Sequence, residues 1–222
     1  MTLTVKDASG RSRVRETRVL SMDFKGGRKK LILFEAPADV RNTGLLSVDY
    51  DDGNKDDDQW LYLPSLHRST RIAAGDRSGS FMGTDITYAD MTTKDTNQYV
   101  YTLLSPSVRV GAEDCWLIEA VPRSEKEKKE TGYLKTQTWV SKEKLMPLQI
   151  KAWVSEGKKL KYMKFDQLQK IDGIWVANRL TVRTMRGEAL ESETVLQFSD
   201  VRFNQPAVSE DVFSERRLEQ GV

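Results

Sequence analysis

Two residue types that carry much of protein chemistry are almost missing from this chain of 222 residues, which has one histidine, His67, and one cysteine, Cys115. A single cysteine cannot close an internal disulfide, and a zinc site built from clustered Cys and His has no ligands to draw on. Any Ser-His-Asp or Cys-His mechanism would run through His67 alone. An excess of either charge is absent too: 35 Lys and Arg stand against 33 Asp and Glu, a formal +2. A nucleic-acid binder working through a bulk basic field is therefore not expected. The longest useful apolar run is Leu31-Ile32-Leu33-Phe34, far short of the roughly 20 residues a membrane-crossing helix needs. Met1 is followed by Thr2-Leu3-Thr4-Val5-Lys6 without a basic n-region or an apolar h-region. No signal peptide is expected here, and a mature exported domain would begin the same way.

What is present is period-2 alternation. It predicts strands at 2–5, 13–24, 30–35, 45–50, 60–63 and 69–73, with a helical turn at 37–41 opened by Pro37. Gly26-Gly27 and the run 51–54 read as turns. Residues 75–91, with glycines at 75, 79 and 83, have no clean period and read as a structured loop. Alternation resumes at 99–104 and 116–121, and the charged run 123–130 reads as a hairpin tip. Long strands follow at 132–141, 147–155, 160–171, 174–185 and 192–203, then a tail with a turn near 209–213. No repeat and no linker divides the chain, so residues 1–222 are expected to form one domain. About ten or eleven strands in a meander must curl, close or be covered. With few helical segments to pack on the apolar strand faces, a curled sheet with an incompletely filled apolar concavity is the expected solution. Such a concavity suits a ligand better than it suits catalysis.

The remaining candidates are weak. The acidic run Asp49, Asp51, Asp52, Asp56, Asp57, Asp58 lacks the Glu that an EF-hand requires, because Trp60 or Tyr62 occupies that place. It reads as a solvated loop. The segment Gly75 to Ser80 lacks the Gly-Lys-Ser/Thr of a phosphate loop and the G-x-S-x-G order of a nucleophile elbow. His67 reads as an exposed turn residue and Cys115 as a small core residue. Arg68, Arg71 and Arg77 either meet an anionic headgroup or a docking partner, or are solvated edge residues, or pair with Asp76 and Asp85. The five tryptophans all fall in predicted strands, and any on the curled face would offer flat apolar wall.

The run Asp58-Gln59-Trp60-Leu61-Tyr62-Leu63-Pro64, then 68–72, then Asp76-Arg77-Ser78-Gly79-Ser80-Phe81-Met82-Gly83-Thr84-Asp85 and Tyr88-Ala89-Asp90, closely resembles one family signature. The family is that of the outer-membrane lipoprotein-sorting proteins, LolA-like periplasmic carriers. Phe34-Glu35-Ala36-Pro37-Ala38-Asp39-Val40-Arg41-Asn42-Thr43-Gly44 resembles its second block, and the likeness spans essentially the whole chain. The resemblance implies a mostly β fold, an unclosed half-barrel with short helices or loops over its concave face, in the periplasm of a Gram-negative bacterium. It implies lipid or lipoprotein acyl chains as cargo, an inner-membrane lipid exporter as a companion, no cofactor, no metal and a monomer. The family usually carries a signal peptide and a first helix ahead of the Met-Thr-Leu-Thr strand, neither is expected within this sequence, and the central motif marks a branch of its own.

The cavity candidates are Leu31, Leu33, Trp60, Leu61, Leu63, Phe81, Met82, Leu148, Ile150, Val176, Leu180, Leu196 and Phe198. Residues 75–91, carrying Phe81, Met82 and Ile86, are the candidate lid. Arg68, Arg71 and Arg77 are the headgroup or partner candidates. A carrier is the leading expectation and a docking module for an exporter the alternative. No residue is expected to be catalytic.

Overall fold

Thirteen strands form one antiparallel sheet in the computed structural model, which describes residues 1–53 and 55–220. The first six are consecutive neighbours: β1 (Thr2–Asp7), β2 (Ser12–Phe24), β3 (Gly27–Ala36), β4 (Gly44–Tyr50), β5 (Asp58–Leu63) and β6 (Arg68–Arg71). So are the last seven: β7 (Tyr99–Val110), β8 (Glu113–Pro122), β9 (Tyr133–Ser141), β10 (Pro147–Val154), β11 (Lys159–Ile171), β12 (Ile174–Arg186) and β13 (Ala189–Gln197). Pairing of β1 with β13 joins the two meanders, and the sheet stays unclosed, with β6 and β7 at its edges.

The β2–β3 hairpin turns where Gly27 sits at φ 154°, and a Cβ there would lie 1.9 Å from the Asp49 carbonyl oxygen. Only glycine fits so close a backbone approach.

Because β6 and β7 are opposite edges, residues 72–98 must cross the sheet, and they do so over one face as a strap. Asp85 pins the strap to β12 and β13. Its carboxylate accepts hydrogen bonds from the hydroxyls of Thr184, Ser192 and, at 2.7 Å, Thr194. The side-chain amide of Gln59 donates to the Tyr88 carbonyl at 2.9 Å and Lys30 donates to that of Met91 at 2.7 Å. Phe81, Ile86 and Met91 of the strap enter a core with Leu3, Ile32, Phe34, Leu45, Val182 and Leu196. On the other face Leu31, Leu33, Leu46 and Tyr62 pack under Phe213 and Leu218 of the C-terminal segment, which ends in helix α2 (Glu215–Gln220).

Four sequence expectations need correction. Each of the thirteen predicted segments is a strand of the sheet, so the total is thirteen rather than ten or eleven, and β7 runs on through Pro106, at a sheet edge with register shifts between Leu103 and Val108 that tolerate it. The last strand stops at Gln197 rather than Phe203. Residues 37–41 form turns after a cis Ala36–Pro37 bond, not a helical turn. The charged run 123–130 does connect the antiparallel pair β8–β9, but it carries helix α1 (Glu125–Thr131) rather than a plain turn. Ser124 caps it by accepting the Glu127 N–H, Glu125 and Glu127 occupy the first turn, and Gly132 closes it at φ 75°. That is the sequence pattern S-x-x-E before a glycine stop. The expected turn at 51–54 includes Asn54, which lies outside the described residues.

Candidate functional site

Directly opposed residues in an antiparallel pair share a face. Phe165 therefore aligns with Leu180, Leu180 with Leu196 and Leu196 with Leu3, while Ile150 aligns with Met163 and Met163 with Val182. These rows make an apolar wall across β10 to β13. With Val19 and Ile32 of the first meander and Ile86 and Met91 of the strap, they bound a cavity of about 530 Å3. That is within the usual range for small-molecule sites, about 300–1,000 Å3.

One end of the cavity is polar. Lys30, Asp57, Arg77, Lys94, Glu127 and Tyr133 line it. Helix α1 supplies Glu127, and the strap supplies Arg77 and Lys94. Burial pushes the Asp57 carboxyl up to about 6, reinforced by Asp49, although the Tyr50 N–H donates to it at 2.9 Å. Burial also lowers Lys94 to about 8 and holds Lys30 below the ordinary lysine range. The Tyr133 hydroxyl donates to Asp90 at 2.9 Å, and burial with that carboxylate beside it keeps the phenol protonated. A second cavity of about 530 Å3 adjoins this end, and Asp57, Arg77, Lys94, Asp95, Glu127 and Glu130 line both.

Of the cavity candidates from sequence, Ile150, Leu180, Leu196 and Phe198 line the apolar cavity. Phe81 and Met82 pack in the core beneath the strap, Phe81 with its ring 5.9 Å from Phe34 and 5.7 Å from Tyr88. Leu31, Leu33 and Trp60 lie in the outer cluster near α2, on the opposite face. Leu148 is buried, and Leu61, Leu63 and Val176 half-buried, all outside the cavity lining. None of the five tryptophans lines it.

Nor do the three arginines form one patch. Arg68 and Arg71 are exposed on edge strand β6, where Arg71 donates to Asp58 at 2.8 Å. Arg77 is 6% exposed, donates to the Asp57 carbonyl and lies 3.6 Å from Glu130. Its partners are thus not Asp76 or Asp85. His67 is exposed at φ 50°, and burial raises the thiol pKa of Cys115. The acidic run serves the fold: Asp49 accepts from Thr93 at 2.9 Å and Asp56 accepts from Lys126 at 2.8 Å. Among the described residues no group of His, Cys, Asp and Glu could hold a metal, and no helix is long and apolar enough to cross a membrane.

Met163 and Phe165 were missed from the sequence although their alternation along β11 signalled them. Lys30, Asp57 and Lys94 carried no such signal, because the strap and the β4–β5 connection bring them together from distant places.

No curated protein matches the chain. Residues 26–220 match a family model with the description "Uncharacterized protein"-like. Among solved structures, an outer membrane lipoprotein-sorting protein domain from Vibrio parahaemolyticus superposes with a TM-score of 0.87 at 30% identity. A DUF1329 family protein from Desulfovibrio piger gives 0.86 at 29%. Each match covers 98% of this chain and 88% of the other. A LolA superfamily protein from Nitrosomonas europaea shares the fold, with a TM-score of 0.70 at 18% identity over 97% of this chain and 88% of that one. The unclosed β sheet, the strap over its inner face and these likenesses together make the chain a member of the outer-membrane lipoprotein-sorting family, with the fold of a LolA superfamily protein.

Proposed function

We propose that the protein is a periplasmic carrier, working as a monomer without covalent chemistry, that shelters the acyl chain of a lipid or lipoprotein on its way to the outer membrane. The observation that carries this reading is the cavity of about 530 Å3 walled by Ile150, Met163, Leu180 and Leu196 beneath the strap. Burial of alkyl chain there yields about 0.8 kcal/mol per methylene, so ten methylenes supply roughly 8 kcal/mol before ordering costs. Cargo enters and leaves by movement of the strap, whose attachment at Lys30 and Gln59 is by single hydrogen bonds.

Protein purified gently from a native periplasm is expected to carry lipid detectable by mass spectrometry, and stripped protein to take up a fluorescent fatty acid. Ile150→Trp, which fills the cavity from β10, should reduce that uptake about tenfold or more with the fold retained by circular dichroism. Absence of both lipid and uptake in the wild type would sink the reading.

The exposed Arg68 and Arg71 on edge strand β6 favour a second role, contact with an inner-membrane lipid exporter. Charge reversal at both should weaken capture of that exporter and leave fatty-acid uptake unchanged; the opposite pattern excludes it.

A further inference from the structure

The second cavity is ringed by eight carboxylates against five cationic side chains. Those five are already engaged. Arg28 bonds Asp23 at 2.6 Å, Lys126 bonds Asp56 at 2.8 Å, and Arg77 faces Glu130. Lys55 and Lys94 stand over the rings of Tyr50 and Tyr99, at 3.3 and 3.7 Å. Of the eight, Asp23, Asp56 and Glu130 take these ion pairs, and among the described residues Asp49, Asp51, Asp57, Asp95 and Glu127 have no cation within 4.0 Å.

Asp49 is the telling one. It is 3% exposed, sits on the inner-face row of β4 and lines this cavity. One oxygen accepts from the N–H and hydroxyl of Thr93, both at 2.9 Å, while Oδ1 has no hydrogen-bond partner. A buried carboxylate oxygen left unpaired costs free energy that a donor would recover.

We infer that the second cavity receives a protonated amine, the headgroup of the same amphiphile whose alkyl chain lies against Leu180 and Leu196. This rests on the carrier reading above and adds to it the chemistry of the headgroup. The shared wall lets one molecule occupy both spaces, its chain on the apolar side and its ammonium facing Asp57 and Asp95. A small movement of Thr93 on the strap brings Asp49 into the same contact. An anionic head would meet a surplus of carboxylates over cations. Burial is the main cause of the raised Asp57 carboxyl, and the neighbouring Asp49 adds to it, as a surplus of negative charge would.

The test is titration of stripped protein with dodecylamine, dodecanol and dodecanoic acid below their micellar concentrations at pH 7. The amine should bind about tenfold or more tighter than the other two, the order expected for one partly desolvated ion pair. The double variant Asp49→Asn, Asp57→Asn keeps the side-chain acceptors for Thr93 and Tyr50. It should cut the amine's preference over the alcohol, read as the ratio of the two affinities in the same variant. Equal affinities in the wild type, or preference for the acid, overturn the headgroup assignment and leave the carrier reading standing. Binding of none of the three removes both.

Discussion

Asp57 shows at the scale of one side chain how the site is tuned. Its carboxyl is pushed up to about 6 in the folded protein from an ordinary 3.8, so the folded state holds the proton more tightly than the unfolded chain. Ionisation therefore works against folding, with no effect below about pH 4, a cost that grows as pH rises toward 6 and a level one above it. Asp57→Asn should match the wild type in urea titrations near pH 3.5 and exceed it by about 1–2 kcal/mol at pH 7, allowing for partial exposure. A gain that shrinks with rising pH would contradict this. Nothing in the sequence marked Asp57 out from its acidic neighbours, since its burial comes from a strap some 30 residues away. By contrast, Leu180, Leu196 and Ile150 were legible because their strands alternate. Leu31 and Leu33 were assigned to the wrong face for a physical reason: residues 31–34 of β3 are buried on both sides, so no polar partner marks the inside.

At the scale of elements, helix α1 closes the rim of both cavities and depends on its two ends. Ser124 supplies the N-terminal cap. Gly132 takes φ 75° and donates its N–H to the Lys128 carbonyl at 2.8 Å. A Cβ at Gly132 would lie 2.9 Å from the Ser78 Cβ, so the glycine also seats the loop that carries Arg77. Gly132→Ala should cost about 1–2 kcal/mol, more than the roughly 1 kcal/mol of Ser124→Ala, because strain and a steric clash combine there. Thermal or urea unfolding of the two variants checks the order. The capping pattern was readable before the structure, yet a run of eight charged or polar residues hides a helix without an apolar stripe. The strap was readable only as irregular chain. That it crosses from one sheet edge to the other follows from strand order, which local periodicity does not encode.

On the scale of the whole molecule, the family and the unclosed sheet were accessible from motif and alternation, whereas the position of the cavity was not. The cavity draws Val19 and Ile32 from the first meander and Ile150, Met163 and Leu180 from the second. Those meanders meet in the sheet only along the six residues of β1 paired with β13. The join is a seam, and the first residues of the chain are its thread. Anything lodged across it acts as a clasp, tying the occupancy of the cavity to the order in which the molecule comes apart. Amide exchange at Leu3 and Val5 should slow on loading with a fatty acid while that of the distant β11–β12 hairpin tip at Asp172 stays unchanged. Equal slowing at both would show general tightening instead. Seen this way, the short strand β1 reports whether the cavity is occupied.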